Sequence, residues 1–231
     1  MTIQVFDLAG AQDAMRFSPY CWRTKTALTV KGLDFEALPW RFVEKDKIAP
    51  SNQPRVPVIV DGERYVHDSW DIAVYLDEAY PDKPTLMDGP DGRNAAMFVS
   101  HWCDATLLPA IRPLAVLPVF GVLHDMDKDY FRESREKALG CRLEDVCADE
   151  AQARKDLLGA VKPLDRLFQT ATFMGGDKPN YADCIVFGSL MWLHVVGREP
   201  ALDPATPAGG WFERMLDLGD GHARRAPTAR D

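Results

Sequence analysis

The chain is short of the residue patterns on which most recognisable chemistries depend. Its cysteines, Cys21, Cys103, Cys141, Cys147 and Cys184, are five in number, and no two form a C-x-x-C pair. That removes the usual zinc and dithiol redox centres, and reduced thiols are expected. There is no G-x-G-x-x-G, no Walker A sequence, no H-E-x-x-H and no G-x-S-x-G. Hydride transfer on a dinucleotide domain, nucleotide hydrolysis and zinc hydrolysis therefore lose support, and no metal is expected. Positive charge is scarce as well: 27 Lys and Arg face 35 Asp and Glu, a net charge of −8. A nucleic-acid surface needs clustered cations, so that partner class is set aside. The basic run from His222 to Arg225 reads as a solvated tail. No stretch reaches the roughly 18 consecutive apolar residues of a membrane span. The opening M-T-I-Q-V-F-D-L has no basic region followed by an apolar signal stretch, so a cytoplasmic protein without membrane contact is expected.

What is present is the composition of a globular protein, 46% apolar and 27% charged over 231 residues, enough for two modest domains. Ile3 to Leu8 alternates as a strand. Trp22, Ala27, Leu28 and Val30 have helical spacing, and Lys31-Gly32 marks the stop. Asp34 to Trp40 reads as a second strand. Val56 to Val60, Asp61-Gly62 and Arg64 to His67 read as a hairpin. Asp68 to Glu78 is a helix with a polar, acidic first turn. Tyr80 to Gly92, dense in Pro, Gly and Asp, reads as a linker. Beyond it the signals are helical: 95–108, 130–143, 150–168, 181–196 and 211–218, with Pro109, Pro113 and Pro118 expected to break or kink the middle. The inferred organisation is an α/β domain over 1–80, a linker over 81–92 and an all-helical domain over 93–231.

Three places carry candidate chemistry. Ser18-Pro19 has the form of a helix N-cap followed by N1, and a helix start also attracts anions through its free N–H groups and dipole. Cys21, three residues on, reads either as a small core residue or as a thiol whose pKa the helix end lowers. At Val56-Pro57 a cis bond would offer the backbone of Val56 to an extended ligand, while the plain alternative is an edge-strand proline. Asp68-Ser69 is either a helix cap or a site for a carboxylate, with an acid beside it for an amine. Together these describe a site for a peptide-like zwitterion that carries a thiol.

The segments F-S-P-Y-C-W-R-T-K-T-A-L-T-V-K-G-L, R-V-P-V-I-V-D-G and H-D-S-W-D-I-A-V-Y-L-D-E-A-Y-P-D closely resemble the thioredoxin-like N-terminal domain of cytosolic glutathione transferases. The likeness is to the branch that holds the bacterial β-etherases of lignin breakdown and their fungal FuA-like relatives. It continues in D-Y-F-R-E-S-R-E-K-A-L-G-C-R-L-E-D-V, M-G-G-D-K-P-N-Y-A-D and W-F-E-R-M-L-D-L-G-D-G, with Asn180 and Asp183 where the fold's capping box is expected. The resemblance implies a thioredoxin-like domain followed by an all-helical one, with glutathione as cosubstrate. It implies that Ser18 donates to the glutathione sulfur, that Val56 and Pro57 clamp the cysteinyl unit, and that Asp68 and Ser69 hold the γ-glutamyl end. The thiolate would attack a hydrophobic, aromatic electrophile and, in the β-etherase version, release a phenolate. Trp102, Phe120, Tyr130, Phe131 and Trp192 are the aromatics available to line an acceptor pocket between the domains, and His101, His124 and His194 the histidines available to assist a leaving group. Two other classes stay open: a thiol-disulfide or deglutathionylating enzyme using Cys21, and a non-catalytic ligand-binding protein. Deglutathionylating relatives place the working cysteine where this chain has Ser18. Assembly, a homodimer included, depends on surface complementarity and not on a motif.

Overall fold

A computed structural model of the chain describes residues 2–230; Met1 and Asp231, the outer ends of the two expected domains, lie outside the described residues. The first strand, β1 (Ile3–Leu8), buries Ile3, Val5 and Asp7 on one face. Helix α1 (Pro19–Lys31) packs there, begins at the Ser18 cap and stops at Gly32, whose φ of 64° is the left-handed conformation that glycine adopts without a Cβ penalty. Strand β2 (Phe35–Trp40) runs parallel to β1. A 3-10 turn, Lys45–Ser51, then leads to the hairpin β3 (Val58–Asp61) and β4 (Arg64–His67). The sheet order is β2-β1-β3-β4, with β3 antiparallel to both neighbours, and α2 (Ser69–Ala79) follows β4. This is a thioredoxin-like domain, and an all-helical domain succeeds it.

The linker is shorter than its composition suggests and it is pinned. Helix α3 starts at Gly89, with Pro90 in its first turn where a missing N–H costs nothing. Asp77 at the end of α2 accepts from the backbone N–H of Leu86 and of Met87, both at 2.9 Å, and from Lys31 Nζ at 2.8 Å.

Contrary to the expectation for Pro109, Pro113 and Pro118, the helix does not break. Helix α3 (Gly89–Trp102) passes through a π-helical turn, Cys103–Leu107, into α4 (Leu108–Val122), and all three prolines lie within the continuous run. Pro109 falls in the first turn after the π-helical segment. The other two each cost about 3 kcal/mol. Burial of Leu107, Ile111, Leu114 and Val119, at roughly 1.5–3 kcal/mol each, outweighs them. The run from Gly89 to Val122 is also long and apolar enough to cross a membrane by length and composition, which the count of consecutive apolar residues missed. Its buried stripe faces α7 (Glu150–Leu167) and α8 (Tyr181–Val196) instead.

Helix α5 covers Asp125–Leu139 and a separate turn, α6, covers Leu143–Val146, so the single helix expected over 130–143 is two elements parted by Gly140. Helix α9 (Pro207–Leu216) is followed by a C-terminal segment that is not a solvated tail. It folds back along α1, with the His222 ring 5.1 Å from that of Phe35 and 6.1 Å from that of Trp22. Arg224 pairs with Glu213 and Asp217.

Asp183 organises the helical domain. It is fully buried, and its carboxylate accepts from the N–H groups of Met174, Gly175 and Asn180 and from Trp211 Nε1, while the Asn180 side chain returns a capping bond. Asp183→Ala is expected to lower the unfolding free energy by at least about 3 kcal/mol, the scale of several buried donors left unpaired. Urea titration measures it. A loss below about 1 kcal/mol would show that the network is not held by this carboxylate.

Candidate functional site

The sheet brings the three candidate segments to one edge. β1 ends at Leu8 and feeds, through 9–17, into the start of α1; β3 is antiparallel, so Val56 and Pro57 just before it lie at that same end. β4 is antiparallel to β3 and delivers the start of α2 there too. Tyr20 in the first turn of α1 lies within electrostatic reach of Asp68 and of Asp104 in the π-helical turn, which places the two helix starts beside one another at the domain seam.

Ser18 is 5% exposed, and its Oγ accepts the Cys21 N–H at 3.3 Å. An accepting hydroxyl keeps its own hydrogen to donate. No acidic residue occupies the first turn of α1, so nothing in that turn offsets the positive end of its dipole. Val56-Pro57 is cis, and among the described residues the backbone N–H and carbonyl of Val56 take no hydrogen bond outside the ladder that begins at Val58. Asp68 is exposed and carries a φ of 66°, a conformation that is strained for a side chain with a Cβ, while its carboxylate accepts the Trp70 N–H at 2.8 Å. Ser69 is buried and its carbonyl accepts from the Tyr181 hydroxyl of α8 at 2.5 Å. The γ-glutamyl candidate is thus braced from the helical domain.

Cys21 has no exposed surface. Burial pushes its thiol up, the nearby Asp7 carboxylate adds to this, and the Ser18 hydroxyl and Lys25 oppose it more weakly. A thiol that keeps its proton and has no access to solvent is a core side chain.

A group of cations escaped the sequence reading. Arg135 of α5 lies with its guanidinium 5.2 Å from the Phe42 ring and 4.8 Å from the Phe131 ring, and Lys45 lies 5.4 Å over Tyr130. Burial lowers the Arg135 pKa, and Arg55, next to Val56, lowers it further. Helical periodicity says only that Arg135 is on a polar helix. Its meeting with the 41–56 segment is a tertiary event, fixed by Asp127, which is buried and accepts the Val43 N–H at 3.1 Å.

The other candidates divide. Phe131 is buried, Phe120 lies under Arg132, Trp102 and Trp192 are half-buried, and Tyr130 is exposed. His124 caps α5, accepting the Met126 N–H, His194 packs on Phe212, and His101 is exposed. The two cavities described lie along α1 beneath the C-terminal segment, and neither is lined by Ser18, Val56, Asp68 or Ser69. Among the described residues no group of three or more His, Cys, Asp or Glu could hold a metal ion.

A thioredoxin-like domain with a cis-proline clamp, joined to a helical domain with a buried capping box, defines a two-domain class. Comparison with known proteins agrees. The family profile "Glutathione S-transferase, N-terminal domain" matches residues 14–84, and "Glutathione S-transferase, C-terminal domain" matches residues 95–218. The chain belongs to the glutathione S-transferase family. It is similar to glutathione S-transferase Z2 of Arabidopsis thaliana, 33% identical over 110 residues that cover 45% of this chain and 47% of that protein. The match thus spans about half the length of that relative. It is also similar to the probable glutathione S-transferase GSTU6 of Oryza sativa, 27% identical over 86% of this chain and 80% of that protein. Among solved structures, glutathione transferase GSTFuA3 of Phanerochaete chrysosporium aligns with a TM-score of 0.76 at 21% identity, over 96% of this chain and 92% of that one. CsGST63524 of Ceriporiopsis subvermispora, solved in complex with glutathione, aligns with a TM-score of 0.76 at 22% identity, over 98% and 95%. At those identities the likeness is one of fold.

The burial of the thiols makes a prediction. Cys103, pushed up to about 12 by burial, and Cys184 share the state of Cys21, whereas Cys141 is exposed. Iodoacetamide applied to the folded protein near neutral pH should label Cys141 and spare Cys21, Cys103 and Cys184, as read by peptide mass. Rapid labelling of Cys21 would contradict its burial.

Proposed function

We propose that this protein is a serine-type glutathione transferase. In this reading the bound glutathione thiolate attacks an electrophilic carbon of a hydrophobic, aromatic substrate, and the reaction takes place in the cytoplasm. The observation that carries the reading is the Ser18 cap: a hydroxyl that accepts the Cys21 N–H, at a helix start without an acid in its first turn. Glutathione would lie with its cysteinyl backbone against Val56 and Pro57 and its γ-glutamyl carboxylate at the start of α2 on Ser69. Its amine would face Asp68, and its glycyl carboxylate would face the cations Lys45, Arg55 and Arg135.

The chemistry asked of the protein is a pKa change. A free thiol near 8.5 is mostly protonated at neutral pH, and a fall of ~2 units, about 2.7 kcal/mol, makes it mostly thiolate. A helix terminus and one hydroxyl donor supply about that much. The proton leaves to solvent. The sulfur lone pair forms a carbon–sulfur bond, and the leaving group departs with its electron pair. With a β-aryl ether the carbon–oxygen bond breaks, a phenolate leaves, and water protonates it. The resemblance to the β-etherase branch supports this version, in which the seam beside Ser18 receives the aryl ether. The buried thiol of Cys21 argues against the redox alternative.

Ser18→Ala should raise the pKa of bound glutathione and slow transfer about ten- to 150-fold, the worth of one hydrogen bond to an anion. Cys21→Ser should leave both nearly unchanged. The readouts are thiolate absorbance against pH and the transfer rate, and loss of activity in Cys21→Ser with none in Ser18→Ala would reverse the assignment. Asp68→Asn keeps the cap acceptor and removes the charge, so glutathione affinity should fall by roughly 1.5–3 kcal/mol in calorimetry while α2 stays folded. Offering aryl ethers, aryl halides and mixed disulfides with glutathione, with products resolved by mass, decides the substrate class.

We also propose a homodimer. The outer face of α3 presents Phe98, 73% exposed, beside Met97, an apolar pair that this chain leaves uncovered. Phe98→Glu should shift sedimentation from dimer to monomer. A wild-type monomer would refute the pairing.

A further inference from the structure

We infer that the cavity beneath the C-terminal segment is a second binding site, separate from the glutathione site, and that it takes a small aromatic carboxylate. The cavity has a volume of about 260 Å³ and lies between the 14–16 loop, α1, β2 and residues 222–227. That is below the usual size of a drug-sized pocket, so its ligand is a single ring and not an extended molecule.

Its wall is cationic. Arg16, Lys25 and Arg225 line it together with His222, and among the described residues no carboxylate does. The nearest acid, Asp7, is buried behind the wall, 2.7 Å from Lys25 Nζ and 3.7 Å from Arg16. One carboxylate thus stands against two arginines and a lysine whose pKa burial lowers and Asp7 raises back. Lys25 is the most buried of them. It is 2% exposed, and its ammonium group has three N–H donors but meets one Asp7 oxygen and the face of Trp22, 3.4 Å from the ring centroid. An ammonium at a cavity wall with N–H donors to spare can take a further acceptor, and an incoming carboxylate supplies one. Arg16 is held in place by the carbonyls of Asp7 and Ala37, at 3.2 and 3.3 Å, and serves as a fixed positive wall. Arg225 is on the exposed side, anchored through the Asp220 carbonyl, and can close over the ligand.

The remaining wall explains the ring. Trp22, with the Lys25 ammonium on one face of its ring, adds aromatic surface to the lining, and Ala14, Ala37, Ala226 and Pro227 add small apolar surfaces. His222 completes the enclosure. Burial, with Lys25 and Arg225 beside it, lowers its pKa, and Asp7 opposes this. The site uses none of Ser18, Val56, Asp68 or Ser69, so it stands or falls separately from the glutathione reading.

Benzoate is the test ligand, titrated calorimetrically into the full chain with glutathione present in saturating amount. Saturable millimolar or tighter binding is expected, unaffected by glutathione, with benzyl alcohol binding at least about tenfold more weakly because it lacks the charge. Arg225→Gln, on the exposed side, should weaken benzoate about tenfold without moving the melting temperature. Ala226→Trp should fill the space and abolish binding; if that variant does not fold, Arg225→Gln decides. The inference is overturned by no saturable binding, by equal binding of benzyl alcohol, by competition from glutathione, or by a benzoate affinity that Arg225→Gln leaves unchanged.

Discussion

The structure depends on how closely α1 and α8 approach each other at Gly188. A Cβ built there would stand 2.6 Å from the Arg23 nitrogen and 2.7 Å from the Pro19 carbonyl oxygen, distances at which backbone must move. Only a glycine lets the helical domain lie directly on the first turn of α1. Two polar links lock the contact: Arg23, 2% exposed, donates to Ser189 Oγ at 3.1 Å and to Asp104 in the π-helical turn at 3.0 Å. The N-terminus of α1, and Ser18 with it, is thereby held at the seam of the two domains.

The two helix starts at this seam are electrically unlike. In α1 the first turn has no acid, so its end is positive and suits a thiolate. In α2 the first turn holds Asp71, and Asp68 caps it, so a carboxylate placed there meets N–H groups while an ammonium meets Asp68. A ligand with a thiol in the middle and an amino-acid end matches that order. In the proposed reading the second carboxylate of glutathione would face Lys45, Arg55 and Arg135. Asp127 matters here because, with the packing of Phe42 on Tyr130 and Phe131, it ties α5 to the 41–56 segment and so brings Arg135 to Phe42.

Local chemistry was legible and long-range chemistry was not. The Ser18-Pro19 start, the Gly32 stop, the Asp61-Gly62 hairpin turn and the Asn180–Asp183 box each follow from a few adjacent residues, and each stands where the pattern puts it. The cis bond at Pro57 stood open in the sequence beside the edge-strand reading, and the backbone resolves it. The unbroken α3–α4 run was hidden because proline's cost is a local property and the compensating burial is not. The docked C-terminal segment was hidden for the same reason. His222 is basic in sequence, yet its ring partners Trp22 and Phe35 are nearly two hundred residues away. Tyr181, which braces Ser69 from α8, likewise reads as one more aromatic at a helix start.

The division of labour between hydroxyl and thiol in S-P-Y-C follows from helix geometry. A cap residue lies outside the helical cylinder, with extended dihedrals, here φ −66° and ψ 123°, and its side chain turns across the open end toward the free N–H groups. The residue three positions on is already inside the first turn. On α1 that position faces the sheet, where Cys21 meets the Leu8 backbone and the Asp7 side of β1. The same helix end that would stabilise an anion at Ser18 cannot offer Cys21 a thiolate, because the cost of burying that charge exceeds what one turn of dipole returns. The group at the open end of the helix is the capping hydroxyl, itself only 5% exposed. In the proposed reading the sulfur it serves comes from outside the chain.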